Sequence, residues 1–260
     1  MSWSARQYST FEGQRTRPVH DLLHSVPTET VRRAIDLGCG PGNSTEVLAA
    51  RYPGAEIIGI DSSSDMIEAA RRRLPSMRFE LADLQAWPAA GEDLGRFDVM
   101  LANAVLQWVP DHETLMPRLA GLLTDGGSLA VQMPDNLEEP AHRLMRAVAA
   151  EGPWAGKLAG ASGARVPRLD ADWYYALLRR HTGHVDVWRT TYFHVLPGGT
   201  DAVVEWFKGS GLRPFLAPLD AAERAAFLAD YRARLVDAYP PLLDGTVLLP
   251  FPRLFMVATR

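Results

Sequence analysis

The chain has 260 residues, of which 47% are apolar and 22% charged, with a formal net charge of −4. That length suits one large domain or two small ones and buries roughly three quarters of the unfolded surface, while an acidic balance argues against a general electrostatic grip on nucleic acid, which wants a basic stripe. A single cysteine, Cys39, cannot close an internal disulfide, no run reaches the ~20 apolar residues of a membrane span, and the opening MSWSARQYSTFEGQRTRP has no signal-peptide core, so a cytoplasmic protein is expected.

In chain order, short and nearly continuous apolar runs predict buried strands at Ala34–Leu37, Glu56–Ile60, Arg78–Leu81, Asp98–Ala102 and Ser128–Gln132. Helical stretches separate them at Ser44–Arg51, Ser64–Leu74 and Thr114–Leu123, and the glycines of Thr124–Ser128 are expected to end the last of these and turn into the fifth strand. Alternation of this kind predicts a parallel sheet. After Pro134 the rhythm breaks. Pro140–Arg168 holds a helix and then a Gly/Ala/Pro-rich stretch, and Asp170–Thr182 reads as a helix. His184–Gly198, rich in Val, Thr and aromatics, reads as a long strand. Thr200–Tyr239 is helical with a break at GLRPFLAP and a cap at Asp220. Thr246–Thr259 is a final strand whose Pro250 and Pro252 predict an edge position or a bulge. The two late strands suggest a sheet closed by an antiparallel pair, with the extra helices over its carboxyl edge, where ligands of such sheets bind.

The informative turn is Gly38-Cys39-Gly40-Pro41-Gly42, between the first strand and the first helix of this alternation. A dinucleotide fingerprint needs its third glycine where Asn43 stands; the nearest, Gly42, falls one place early. Phosphate loops work through backbone N–H groups, which Pro41 lacks, and the P-loop lysine is absent. The turn therefore allows close approach of a ligand without being built to grip an anion. Polar residues close four successive strands on the same edge. Asp36 could reach a ligand ammonium or brace the turn. Asp61 could hold a ribose diol or cap the following helix. Asp83 could accept from an adenine amino group or stabilise a turn. Asn103 ends the fourth.

The stretches DLGCGPGNST, GIDSS, ELADL and LANAVLQWVPD resemble the successive motifs of the class I S-adenosylmethionine-dependent methyltransferases. The resemblance implies an α/β, Rossmann-like, seven-stranded and mostly parallel sheet with an antiparallel last strand, helices on both faces and helical lid insertions. It also implies S-adenosyl-L-methionine as cofactor and S-adenosyl-L-homocysteine as product. Carried over by position, it assigns cofactor contacts to Gly38, Cys39, Gly40, Asp61, Ser62, Met66, Asp83, Leu84, Asn103 and Ala104; Asp36, Trp108 and, on an N-terminal segment that could touch either ligand, Tyr8 complete the expected cofactor set. YSTFEGQRTRP, AVQMPDN, VDVWRTTYFHVLP, GLRPFL and LLPFPRLFMVA resemble the branch of that family acting on trans-aconitate. One methyltransferase domain over 1–260 follows, with an N-terminal cap (1–30), a cofactor-binding half (31–135), helical lid or substrate segments (136–182 and 199–245) and a late strand pair (183–198 and 246–260).

The implied reaction is attack of a carboxylate oxygen on a sulfonium methyl. A carboxylate with pKa near ~4 is ionised at neutral pH, so no catalytic base and no metal are expected. A tricarboxylate leaves two carboxylates to hold, a task for arginines with polar neighbours. The candidates are Arg17, Gln132, Arg189, Tyr192, His194, Arg213 and Arg253, with Arg15 beside Arg17 on the N-terminal segment. Arg189 alternates its face with Trp188, so only one of these sets can meet a given site. Of 27 basic residues only Lys157 and Lys208 are lysines, so an arginine's position carries more weight than its identity. The alternative acceptor is another small carboxylate or an apolar molecule. The partner is thus expected to be a small molecule, with no nucleic acid or membrane and the oligomeric state left open. His20 and His24 have metal-ligand spacing but read as a solvated helix face, and Asp111-His112 reads as a helix start rather than a catalytic dyad.

Overall fold

The computed structural model describes residues 12–87, 95–164 and 169–260. Among these residues seven strands form one sheet: β1 (Arg33–Leu37), β2 (Glu56–Asp61), β3 (Arg78–Leu81), β4 (Phe97–Asn103), β5 (Leu123–Pro134), β6 (His184–Leu196) and β7 (Val247–Thr259). Their order is β3-β2-β1-β4-β5-β7-β6. The first five pair in parallel, with Ile35 beside Ile58 and Met100, Asp61 beside Leu81, and Asn103 beside Gln132. This register lines up the carboxyl ends of β1 to β5 along one edge. β7 runs against β5: Arg260 exchanges backbone hydrogen bonds with Gly126 and Gly127, while the Pro252 carbonyl accepts from Asp135. The mostly parallel sheet with reversed pairing at its end is as expected.

Two expectations change. Thr124–Ser128 is not a separate turn, because β5 already begins at Leu123; the β4–β5 register shifts between Phe97 and Val99. Gly126 accordingly takes a left-handed φ of 79° inside the strand. Nor is β7 an edge strand. It lies between β5 and β6, and β6 forms the edge. Pro252 costs the ladder one N–H, yet its carbonyl still pairs with Asp135.

The chain forms two compact units. The first comprises Met1–Pro134, Arg168–Thr190 and Leu254–Arg260. It carries helices α1 (Glu12–His24), α2 (Asn43–Arg51), α3 (Ser64–Arg73) and α4 (His112–Gly121) around the parallel strands. β4 is buried along its whole length, which explains its unbroken apolar run. Its core joins Ile35, Leu37, Met100, Leu115 and Leu129 with Leu254 and Met256. The second unit comprises Asp135–Pro167 and Thr191–Arg253. Its helices are α5 (Pro140–Glu151), α6 (Ala155–Leu158), α8 (Gly199–Lys208), α9 (Arg213–Leu216) and α10 (Ala221–Ala238); α7 (Ala171–Leu178) lies in the first. Asp220 caps α10 with a reciprocal pair of bonds to Glu223. Trp154 packs on Phe227, and the Tyr239 hydroxyl accepts from the Ala141 N–H. Among the described residues no helix is long and apolar enough to cross a membrane.

Candidate active site

The carboxyl edge of β1 to β4 opens into a cleft of about 230 Å³ in the first unit. Its floor is the glycine turn. Gly38, Gly40 and Gly42 have φ of 68°, 54° and 91°, the left-handed region that glycine enters without penalty. Each has its own reason. A Cβ on Gly38 would collide with the Val105 side chain; one on Gly42 would press 3.3 Å from the Ala70 backbone of α3; one on Gly40, a cleft-lining residue, would meet no protein atom within 4 Å. Gly42 therefore permits the close helix approach that a dinucleotide loop assigns to a glycine one place later.

From Cys39 to Gly42 the N–H groups of this turn are already used. Cys39 donates to the Ile60 carbonyl (2.9 Å), Gly40 to Asp61 Oδ2 (3.0 Å) and Gly42 to the Cys39 carbonyl (3.1 Å), and Pro41 has none. Such a turn offers no cradle for a phosphate. Asp36 is fully buried beneath it, its Oδ2 accepting from the Ser44 and Thr45 hydroxyls at 2.7 Å each. Burial lifts its carboxyl to about 6, against the pull of those hydroxyls, and the Asp61 charge adds to the rise. Of the two roles open to Asp36, this contact set belongs to bracing. Cys39 also turns inward, against Ile67, Ala70 and Phe79, so its side chain does not line the cleft; burial pushes its thiol far above the ordinary range.

Asp61 stands at the mouth of β2. Its Oδ1 accepts from the Ser63 N–H at 2.9 Å and its Oδ2 from Gly40. Burial raises its carboxyl, and the N–H groups of Ser63, Gly40 and Ser62 draw it part of the way back. Three N–H donors shared between two oxygens leave the carboxylate acceptor capacity for a hydroxyl donor. Ser62 and Met66 line the same wall. Opposite lie Ala82, Asp83, Leu84 and Gln85, with Asp83 Oδ1 accepting from the Gln85 N–H at 3.0 Å. Arg118 of α4 holds this loop by donating to the Leu84 and Gln85 carbonyls at 3.0 and 3.3 Å.

The end of β4 and the turn after it supply the third wall through Asn103, Ala104, Val105, Trp108 and Val109. The Asn103 Oδ1 is buried without a hydrogen-bond partner, an acceptor that a ligand donor would satisfy. Ala104 has φ 54°, a left-handed conformation costing about 1–2 kcal/mol in a residue with a Cβ. Its N–H donates to the Gln132 carbonyl (2.8 Å) and its own carbonyl accepts from Gln107 Nε2 (2.7 Å). Those bonds hold the chain in the strained turn. The cleft is thus acidic and rich in acceptors, suited to a cationic ligand with hydroxyl and amino donors.

Of the sequence-assigned cofactor contacts, Gly38, Gly40, Asp61, Ser62, Met66, Asp83, Leu84, Asn103, Ala104 and Trp108 line this one cleft. Asp36 and Cys39 lie behind it, and Tyr8 is outside the described residues, as is the side chain of Arg15. Val105, Val109, Ala82 and Gln85 were given no role by sequence reasoning, although the first three lie inside the motifs that it singled out and Gln85 directly follows one. Arg118 carried no signal at all. The expected acceptor contacts scatter more. In the first unit Arg17 is exposed on α1, Gln132 is fully buried beside Asn103, and Arg189 is exposed on β6. In the second unit Tyr192 and His194 are buried on the opposite parity of β6. His194 stacks on Trp206 at 4.1 Å between ring centroids, and Arg253, 4% exposed, lies over Phe251 at 4.9 Å. Phe251 also contacts His194. Arg213 opens α9, half-buried. His20 and His24 are exposed on α1.

Comparison with known proteins places the chain. A family model described as a methyltransferase domain matches residues 30–176. The chain is 56% identical, over 99% of its length and 98% of the relative's, to trans-aconitate 2-methyltransferase of Methylobacterium nodulans. It is 54% identical, at 99% and 98% coverage, to the protein of that name from Methylobacterium radiotolerans. Among solved structures it shares its fold with phosphoethanolamine N-methyltransferase 2 of Haemonchus contortus in complex with phosphomonomethylethanolamine and S-adenosylhomocysteine. The TM-score there is 0.56, with 16% identity over 93% of this chain and 52% of the other.

Proposed function

We propose, from the premise that this chain belongs to the methyltransferase-domain family and within it to the trans-aconitate 2-methyltransferases, that it transfers a methyl group from S-adenosylmethionine to a carboxylate of trans-aconitate. The products are a monomethyl ester and S-adenosylhomocysteine. The observation that carries the cofactor is the glycine turn, whose N–H groups from Cys39 to Gly42 are spent within the protein while acidic acceptors face the cleft. That pattern suits a nucleoside bearing a positive charge and no phosphate.

S-adenosylmethionine supplies a methyl group activated by a positively charged sulfur. Asp61 accepts from the ribose hydroxyls, Asp83 from the adenine amino group, and Asn103 and Ala104 meet the methionine end. The acceptor carboxylate, already ionised, needs no side chain to take a proton. Sulfonium and carboxylate neutralise each other as the bond forms, so water opposes the step and its exclusion favours it. Orientation of the two groups contributes up to about 7–11 kcal/mol.

The carboxylates that are not methylated go to arginines. Arg253 leads the candidates, because a buried guanidinium over an aromatic face, near a stacked histidine, is a desolvated donor of the kind that binds carboxylates strongly. Arg213, Tyr192 and His194 are the further candidates of the same unit, and Arg189, Arg17 and Gln132 those of the first. We place the reaction in the cytoplasm, in keeping with a single buried thiol. Mass spectrometry of the products from trans-aconitate and S-adenosylmethionine, with cis-aconitate and citrate as competitors, tests the assignment. A monomethyl ester from trans-aconitate in preference to both competitors is the expected result, and turnover with either competitor alone overturns it.

A further inference from the structure

His112 follows the N-cap of α4, and sequence gives it no more than a place at a helix start. Its surroundings give it more. The ring is buried, with Nε2 2.9 Å from the Leu106 carbonyl and Nδ1 2.6 Å from the Tyr174 hydroxyl. A carbonyl can only accept, so Nε2 carries the proton; the Nδ1 of the neutral ring then accepts from the tyrosine. Leu106 opens the 3-10 turn Leu106–Trp108, which delivers Trp108 and Val109 to the cleft wall. Tyr174 is fully buried on α7, and Trp173 packs edge-on against it at 5.1 Å. The imidazole therefore ties α7, through one buried chain of hydrogen bonds, to the turn that forms a wall of the cofactor cleft.

We infer that His112 is a positioning residue for cofactor binding, and that Tyr174 is the group that orients it. This rests on the reading of the cleft as the S-adenosylmethionine site. The turn sits between the strained Ala104, already held by Gln107, and the capped start of α4 at Asp111. Without the imidazole the Leu106 carbonyl keeps only the Val109 N–H at 3.0 Å, a bond within the turn itself, and the tie that holds Trp108 and Val109 against α7 is gone. The acceptor does not enter this chain of contacts, so cofactor affinity should change while turnover at saturating cofactor should not.

The test is calorimetric titration of S-adenosylhomocysteine into the full-length protein, together with kcat at saturating S-adenosylmethionine. His112→Phe and Tyr174→Phe should each weaken binding about tenfold and leave kcat within about twofold. His112→Gln, whose amide offers one N–H and one carbonyl at a similar spacing, should recover binding to within about threefold of the original. The inference is overturned if His112→Phe and Tyr174→Phe bind like the parent, if kcat falls with affinity, or if glutamine rescues nothing. Should His112→Phe fail to fold, Tyr174→Phe, which removes one oxygen atom, decides alone. Failure of the parent protein to bind S-adenosylhomocysteine would instead reject the reading of the cleft.

Discussion

Gly38 and Gly40 are two residues apart in one turn, and their replacement by alanine should fail in different ways. Both have left-handed φ, so each alanine carries about 1–2 kcal/mol of backbone strain. At Gly38 the new methyl also collides with Val105, and overpacking of this kind costs a further ~1–3 kcal/mol. Gly38→Ala should therefore lose roughly 2–5 kcal/mol. At about 2–4 °C per kcal/mol for a chain approaching this size, Tm falls by roughly 4–20 °C. At Gly40 the methyl meets no protein atom, so only the strain remains and Tm falls by roughly 2–8 °C. That methyl stands in the cleft, where the ligand's close approach requires bare backbone. Gly40→Ala should thus weaken S-adenosylhomocysteine binding at least tenfold, a loss of about 1.4 kcal/mol. Differential scanning calorimetry and titration calorimetry on both variants make the comparison. Equal melting of the two variants, or parent-like affinity in Gly40→Ala, would refute the assignment of one glycine to packing and the other to the ligand.

Asp36 gives a pH signature. Its folded carboxyl lies near 6 against 3.8 unperturbed, so the native state binds more protons than the unfolded chain between those values, and stability falls as pH rises through that window. Relative to the parent, Asp36→Asn should gain up to about 3 kcal/mol between pH 4 and pH 7; urea unfolding that shows a pH-independent difference would count against it. Asp220→Ala removes a capping box from α10 and should cost about 1 kcal/mol, seen as a Tm drop of about 2–4 °C. Arg253→Ala should raise KM for trans-aconitate tenfold or more with unchanged S-adenosylhomocysteine affinity. Steady-state kinetics beside a binding titration would expose the assignment as wrong if KM held.

The cofactor side was readable because its residues sit at the ends of consecutive parallel strands. Once Leu37, Asp61, Leu81 and Asn103 are recognised as strand termini, register alone brings them to one edge. The acceptor side has no such rule. Tyr192, His194 and Arg253 lie on two long strands where one residue of slip exchanges the faces, and the burial of β6 changes parity between Val187 and Tyr192. Periodicity of 2 from Arg189 therefore misleads. The β7 prolines pointed to an edge or a bulge because the missing N–H was legible; the place of β7 between β5 and β6, with the Pro252 carbonyl paired, was not. The glycines of Thr124–Ser128 looked like a connection, but they form an irregular stretch within β5. His112 and Arg118 were hidden for a plainer reason: their partners, Tyr174 and the Leu84–Gln85 backbone, are distant in sequence.

The inward turn of Cys39 has a kinetic meaning. The chain's only thiol is sealed between the glycine turn, α3 and β3, against Ile67, Ala70 and Phe79, and burial keeps it protonated. Oxidants and alkylating reagents act on an exposed thiolate, so this sulfur is modified only from conformations in which the turn has lifted away from α3. The residue that contributes nothing to the cleft surface is thereby a clock for the opening of its floor, and any ligand that holds the floor shut must slow it.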